Sequence, residues 1–273
     1  MVYKVKSADT DEGRRFMSAV DSVLSGESAQ RVAFDCEGVN LCRIGTLELV
    51  SICFPNMDVF LIDMHETPCS RVVKSLKDLF ENENVTKIIH DCRMDCDALY
   101  HLHGITVVKV HDTSCFHHII TYMENKNLND VLRYNDISVN AERDKSIYRT
   151  NPKFWADRPL TERMIDWATS DVDKLFTLAD KQLGRISSSS APRALAKSTE
   201  YSRFTRDMKV KTGLKVTGNT GRFIGRGGAN IRSLENRTGT LMYSDRGLYT
   251  TTWFVFYKSD TSLEAVKCKM AMA

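Results

Sequence analysis

Asp35 and Glu37 lie two residues apart in RVAFDCE, residues 31–37. On an extended strand a period of two puts both side chains on one face. The rest of that stretch (Val32, Ala33, Phe34) is apolar, so two acids there run against the local pattern. A third acid, Asp95, follows the apolar run TKIIH and stands near the start of CRMDCDALYHLHG, with Asp91 and Asp97 competing for any role. Carboxylates in a first helical turn often only complement the helix dipole. Asp171 lies in LTERMIDWATSDVDKLFTLAD, at the edge of an apolar stripe that includes Met164, Ala168, Val172 and Leu175. Trp167 comes four residues before it, so the two share a helix face. Together Asp35, Glu37, an acid after a later strand and Asp171 make four carboxylates able to converge. Such oxygen donors suit two Mg²⁺ or Mn²⁺ ions, whose charge offsets their own. Without ions, clustered carboxylates raise one another's pKa. Two ions about 3.5–4 Å apart hold an attacking water and the leaving oxygen of a phosphodiester.

The elements that must position these acids follow from pattern. Residues 31–37, 47–54 (LELVSICF) and 58–64 (DVFLIDM) read as short strands, broken by Gly and Pro-Asn. Residues 70–82 carry apolar side chains at 72, 73, 76, 79 and 80, a helical spacing. TKIIH reads as a buried strand, the next stretch as a helix closed by Gly104, and ITVVKV (105–110) as another strand. Beyond it the chain reads as helical to about residue 183. Strands followed by strand–helix alternation imply an α/β fold, a mixed sheet flanked by helices.

Residues 184–205, opening with GRISSSSAP, read as a flexible, Ser-rich, basic linker with room for a short helix in the second half of GRISSSSAPRALAKSTE. It separates a first domain, 1–183, from a second, smaller α+β domain, 206–273. The second domain reads as strand (KVKTGLKV), glycine loop (GRGG), helix (ANIRSLENR), two strands (TLMYS and TTWFVFYK) and a last helix (SLEAVKCKMAM). The alternating aromatics of TTWFVFYK read as core rather than as a platform for bases.

Charge is divided unevenly between these parts. Residues 184–273 hold 16 Lys and Arg against 6 Asp and Glu, while the remainder holds 22 against 29. A basic tail on an acidic body points to a polyanion partner for the tail and a cation requirement in the body. The eight cysteines are scattered, without CxxC pairs or zinc-finger spacing, and suit a reducing compartment. The start of the chain lacks an apolar signal region, and no apolar run approaches the ~18 residues that span a bilayer. The expectation is an intracellular protein, cytoplasmic or nuclear, with no membrane association.

FDCEG, KIIHDCRMDCDAL and ERMIDWATSDV resemble the three motifs of the DEDD 3′–5′ exonucleases, on a ribonuclease H-like fold and closest to the ribonuclease D-like branch. The resemblance extends over residues 28–183, with VHDT (110–113), LNDVL (128–132) and WADRPLT (155–161) in support. It implies Asp35, Glu37, Asp95 and Asp171 as ligands of two Mg²⁺ or Mn²⁺ ions. Asp95 is preferred to Asp91 because it lies five residues after His90 and four before Leu99, as in the family's second motif. The chain departs from the pattern at one place. Where the family has a water-orienting Tyr four residues before the last Asp, or a His five before it, this chain has Trp167 and Asp166. An indole N–H only donates, whereas a phenol also accepts. General-base help is worth about 10²–10⁴-fold, so the resemblance implies a slowed nuclease, with a non-catalytic RNA-binding adaptor as the alternative.

RFIGRGGANIRSLENRTGT places Ile224, Gly225, Arg226, Gly227 and Gly228 just before a helix. Such a loop lets backbone N–H groups approach a phosphate. Residues 206–273 resemble a KH domain of the β-α-α-β-β-α type, with IGRGG as its GXXG loop. KH domains clamp about four single-stranded nucleotides. The expected partner is therefore single-stranded nucleic acid, with RNA favoured over DNA.

Overall fold

The computed structural model describes residues 1–123, 127–144, 146–246 and 251–273. They form two compact units, 1–143 with 153–204, and 144–152 with 205–273.

The first unit is built on a six-stranded mixed sheet: β1 (Val2–Val5), β2 (Arg31–Glu37), β3 (Leu49–Cys53), β4 (Val59–Asp63), β5 (Thr86–Ile89) and β6 (Val110–Asp112). Their order is β1-β4-β3-β2-β5-β6. β2, β3 and β4 form an antiparallel meander, while β1, β5 and β6 join in parallel. Every residue of β3 is buried, as a strand covered on both faces requires. Helices α1 (Asp11–Ser25), α2 (Ser70–Phe80), α3 (Arg93–His103), α4 (Thr113–Thr121), α5 (Leu128–Tyr134), α6 (Ile147–Thr150), α7 (Glu162–Ser170), α8 (Leu175–Arg185) and α9 (Ala191–Arg203) follow in the chain. The short α6 belongs to the second unit. Among the described residues no helix is long and apolar enough to cross a membrane.

Local chemistry explains these boundaries. The Thr10 side chain accepts a hydrogen bond from the N–H of Gly13 and starts α1. Gly104, at φ 64°, closes α3 as its sequence promised. Three expectations fail. The strand expected over 105–110 forms only at Val110–Asp112. Ile105 and Val107 are buried without ladder pairing, and the chain turns at Lys109, with φ 51°, before pairing with β5. Secondly, the helix expected around Asp171 is two helices. α7 stops at Ser170, and Asp171 caps it at the start of a turn.

The third failure concerns the linker. Residues 191–203, where a short helix within a flexible linker was expected, form helix α9 with Pro192 in its first turn, and it is packed rather than flexible. Ala194 and Ser198 are fully buried, and Ala194 packs with Phe116 and Ile119 of α4. Tyr201 joins the main core of the first unit, and the Ser198 hydroxyl accepts the N–H of Asp112 on β6 (3.2 Å). The polar composition misleads because small residues at helical spacing let a helix lie close on its neighbours.

The second unit contains β7 (Lys209–Leu214), α10 (Thr220–Ile224), a 3₁₀ turn at Arg226–Gly228, α11 (Ala229–Thr238), β8 (Leu241–Arg246), β9 (Thr251–Tyr257) and α12 (Asp260–Ala271). The three strands are antiparallel in the order β7-β9-β8. Trp253 and Val255 of β9 are buried with Phe223, Leu234, Val266 and Met270, so the aromatic strand is core.

An acid placed on the inner face of α9 separates a packed helix from a linker. Ala194→Asp is expected to cost roughly 2–5 kcal/mol by leaving a charge unpaired in the interior. Urea unfolding checks it. A change within about 0.5 kcal/mol, the range for exposed sites, would contradict the packing of α9.

Candidate active site

β2 lies at the centre of the sheet and extends past the end of its partner β5. Pairing with β5 stops at Ala33, while pairing with β3 continues to Glu37. Asp35 and Glu37 therefore project from a strand held on one side only, with the side chain of Cys36 buried on the opposite face. The Cys36 N–H, free of the β5 ladder, donates to Oδ1 of Asp95 (2.9 Å) in the first turn of α3. Asp95 is buried, and it ties α3 to the strand that carries the first two acids.

The turn after α7 delivers Asp171 to the same place. One carboxylate oxygen from each of Asp35, Glu37 and Asp171 lies within 4.8 Å of the others. These three are the only such metal-competent group among the described residues. Asp95 is not among them, although its charge acts on both Asp35 and Glu37.

Electrostatics reflects this crowding. Burial, and then the charges of Asp171, Asp95 and Glu37, hold the Asp35 carboxyl well above the ordinary carboxylate range. Burial and the Asp171 charge do the same for Glu37, against the lowering effect of Arg143. Asp171 is raised by burial, and Arg143 again opposes the shift. Burial pushes Asp95 up to about 7, against two backbone hydrogen bonds that favour its charged form.

Arg143 is the residue that sequence reasoning missed. Its guanidinium bonds to Asp171, reaches Oε1 of Glu37 (3.5 Å) and donates to the Trp167 carbonyl (2.7 Å). It also lies 5.3 Å from the centre of the Trp167 ring, a cation–π distance. Asn140, on the same loop, donates to the Ser170 carbonyl (2.7 Å) and is itself held by Lys174 (2.7 Å). No periodicity links Arg143 to an acid 28 residues away. The one available signal was the surplus of acids expected in one place, which calls for a cation. Trp167 is half-buried, with Phe154 (5.4 Å) and Trp155 (6.5 Å) as aromatic neighbours.

In the second unit Gly225, Gly227 and Gly228 all have positive φ, at 74°, 56° and 81°. A Cβ at Gly225 would stand 2.7 Å from the Asn230 side chain, whose amide donates to the Arg222 carbonyl (2.8 Å), so this turn requires glycine. Ile224 packs on the core, while Arg226 and Gly227 are exposed at the mouth of α11.

A sequence model of the 3′–5′ exonuclease family matches residues 18–185, a stretch that contains Asp35, Glu37, Asp95 and Asp171. The chain belongs to that family. This exonuclease-family chain is 28% identical to piRNA biogenesis protein EXD1 of Mus musculus over 143 residues, 47% of the chain and 25% of that protein. It spans about a quarter to a third of the length of the EXD1 proteins it matches. Among solved structures it resembles Trypanosoma brucei RNase D in complex with RNA U12. That likeness has a TM-score of 0.59 and 24% identity, over 74% of this chain and 70% of that one. Brucella melitensis NrnC with bound Mg²⁺ gives a TM-score of 0.54 at 20% identity, over 74% and 88% of the two chains. The fold is that of the RNase D-type exonucleases.

The raised pKa of Asp95 sets a pH dependence for the metal-free protein. Folded, Asp95 keeps its proton in a range where the unfolded chain has lost it. Its contribution to stability is complete below about pH 4, the unfolded carboxylate range, and is lost as pH rises toward the folded value of about 7. Asn keeps the acceptor for Cys36 and does not titrate. In EDTA, Asp95→Asn is expected to gain stability relative to wild type between pH 4 and 7, by at most about 1.4 kcal/mol per pH unit. A difference that stays constant with pH would contradict the burial of this carboxyl.

Proposed function

We infer that this chain is a 3′–5′ exonuclease of single-stranded nucleic acid, with RNA favoured over DNA. The observation that carries the reading is the convergence of Asp35, Glu37 and Asp171 within 4.8 Å inside the exonuclease-matching region. Their donor set fits Mg²⁺ or Mn²⁺, since all are hard oxygens and their charges repel without a cation. Asp35, Glu37 and Asp171 would hold the metal, with Asp95 completing the four acids of a two-ion site. Bound there, divalent ions supply the activation of water and the neutralisation of charge on the leaving oxygen. The Mg²⁺ of the Brucella neighbour supports this choice of ion.

The chain's own residues set the rest. β2 supplies two acids on one face, and the Asp95 bond to Cys36 fixes the distance between strand and α3. Trp167 stands where a proton acceptor would help the attacking water, and an indole cannot accept one. The reading is thus of a slow enzyme rather than a dead one.

Residues 206–273 act in this reading as a KH-type module. The element order and the glycine turn ahead of α11 support it, as does an exposed Arg226 beside two positive-φ glycines. Ile224, Gly225, Arg226, Gly227 and Gly228 would hold the phosphate backbone through N–H groups and one guanidinium. RNA is favoured because the trypanosomal neighbour is seen with RNA U12.

A 5′-labelled single-stranded RNA incubated with the protein and Mg²⁺ or Mn²⁺ is expected to shorten into a ladder, and Asp35→Ala to abolish it. Intact binding without a ladder under either metal would replace the enzyme by an adaptor. Trp167→Tyr is expected to raise turnover by about tenfold or more if a phenol restores the acceptor; an unchanged rate in a folded variant rejects that placement. Replacing Arg226 and Gly227 with two aspartates is expected to weaken RNA affinity by at least about tenfold and to flatten its salt dependence. Unchanged affinity would remove the KH reading.

A further inference from the structure

We propose that Arg143 is a built-in counter-ion that occupies the acidic cluster in place of a divalent ion and must swing off it before metal binds. The inference rests on reading Asp35, Glu37 and Asp171 as metal ligands.

One side chain spans the cluster. The guanidinium of Arg143 bonds to Asp171 and reaches Glu37 (3.5 Å), which stand on different elements and are two of the three converging acids. The pair is shielded, since the side chains of Arg143, Glu37 and Asp171 are each less than a fifth exposed. A carboxylate oxygen that serves a guanidinium N–H presents less electron density to a metal ion. A fixed positive charge beside the cluster also repels a second cation, strongly so where water is scarce. Arginine and metal thus compete for the same two carboxylates.

The competition is graded by charge. One guanidinium neutralises one of three carboxylates, so the cluster keeps a net negative charge and still attracts Mg²⁺ or Mn²⁺. Arg143 also has a place to rest without leaving the site. Its bond to the Trp167 carbonyl (2.7 Å) and its seat 5.3 Å over the Trp167 ring involve no acid, so both survive a small swing away from the oxygens. A tryptophan gives the strongest cation–π face of the aromatic residues. Trp167, which offers no acceptor to a water, offers this instead. Asn140 holds the other side of the turn through Ser170, so Asp171 stays in place when the arginine moves.

The test is a calorimetric Mn²⁺ titration of the full chain, with thermal unfolding in EDTA as a second readout. Arg143→Gln is expected to bind Mn²⁺ about tenfold tighter than wild type or more, because a competing charge is gone. Its metal-free form is expected to melt lower, since the acids then repel unopposed, and to gain more from Mn²⁺ than wild type does. A merely structural arginine would give the opposite sign, with weaker metal binding on its loss. Arg143→Lys keeps the charge but cannot fork across Glu37 and Asp171, and is expected to fall between the two. It decides the matter if the Gln variant does not fold. Equal Mn²⁺ affinity of wild type and a folded variant overturns the proposal and leaves the metal site standing. Absence of Mn²⁺ binding in all three proteins overturns it together with the metal-site reading, and Asp171→Asn serves as the non-binding reference.

Discussion

Acids brought together in a poorly hydrated place repel one another, and the architecture around β2 holds them there against that force. β2 is one of the two central strands of the sheet, and β3 pins its path from Ala33 to Glu37. The alternation of a strand then gives Asp35 and Glu37 a common face at no further cost. Asp95 contributes through a hydrogen bond to the backbone between them, so α3 cannot drift from the strand without leaving a buried N–H unsatisfied. The break between α7 and α8 puts Asp171 on a turn, where a short side chain reaches the strand face that a continuous helix would carry it past.

The positive charge set against these acids comes from a loop. Arg143 and Asn140 both grip the turn that carries Asp171, one through its carboxylate and the other chiefly through the preceding carbonyl. Trp167 serves the same group with its carbonyl and its ring. In the proposed reading, the indole that offers no acceptor to a water also gives the Arg143 guanidinium a face to rest on.

The second unit solves a different problem with backbone alone. Three positive-φ glycines around Arg226 turn the chain sharply ahead of α11, and Asn230 seals the turn from the helix side. Phe223 and Trp253, edge to face at 5.4 Å, anchor the segment leading to that turn on the small core. Such a core leaves its apolar side chains few choices, which is why the aromatics of β9 are spent on packing.

Periodicity and spacing were enough to find β2 to β5, α2 and α3, the strands and the last two helices of the second unit, and the acids that break an apolar pattern. These are local facts: side-chain period, a closing glycine, and a charge that breaks an apolar run. The choice of Asp95 over Asp91 came from the family resemblance. The same local logic failed at α9, where small polar residues hide a packed face, at 105–109, where burial mimics a strand, and at Asp171, where an apolar stripe runs on across a helix break. Arg143 lay beyond it altogether. A charged residue in an unpatterned loop carries no mark of its partner. Its meeting with Glu37 and Asp171 follows from how α7, β2 and that loop pack in three dimensions. Sequence names the acids because chemistry resides in residue type, and folding alone names their counter-charge because attraction depends on distance in space.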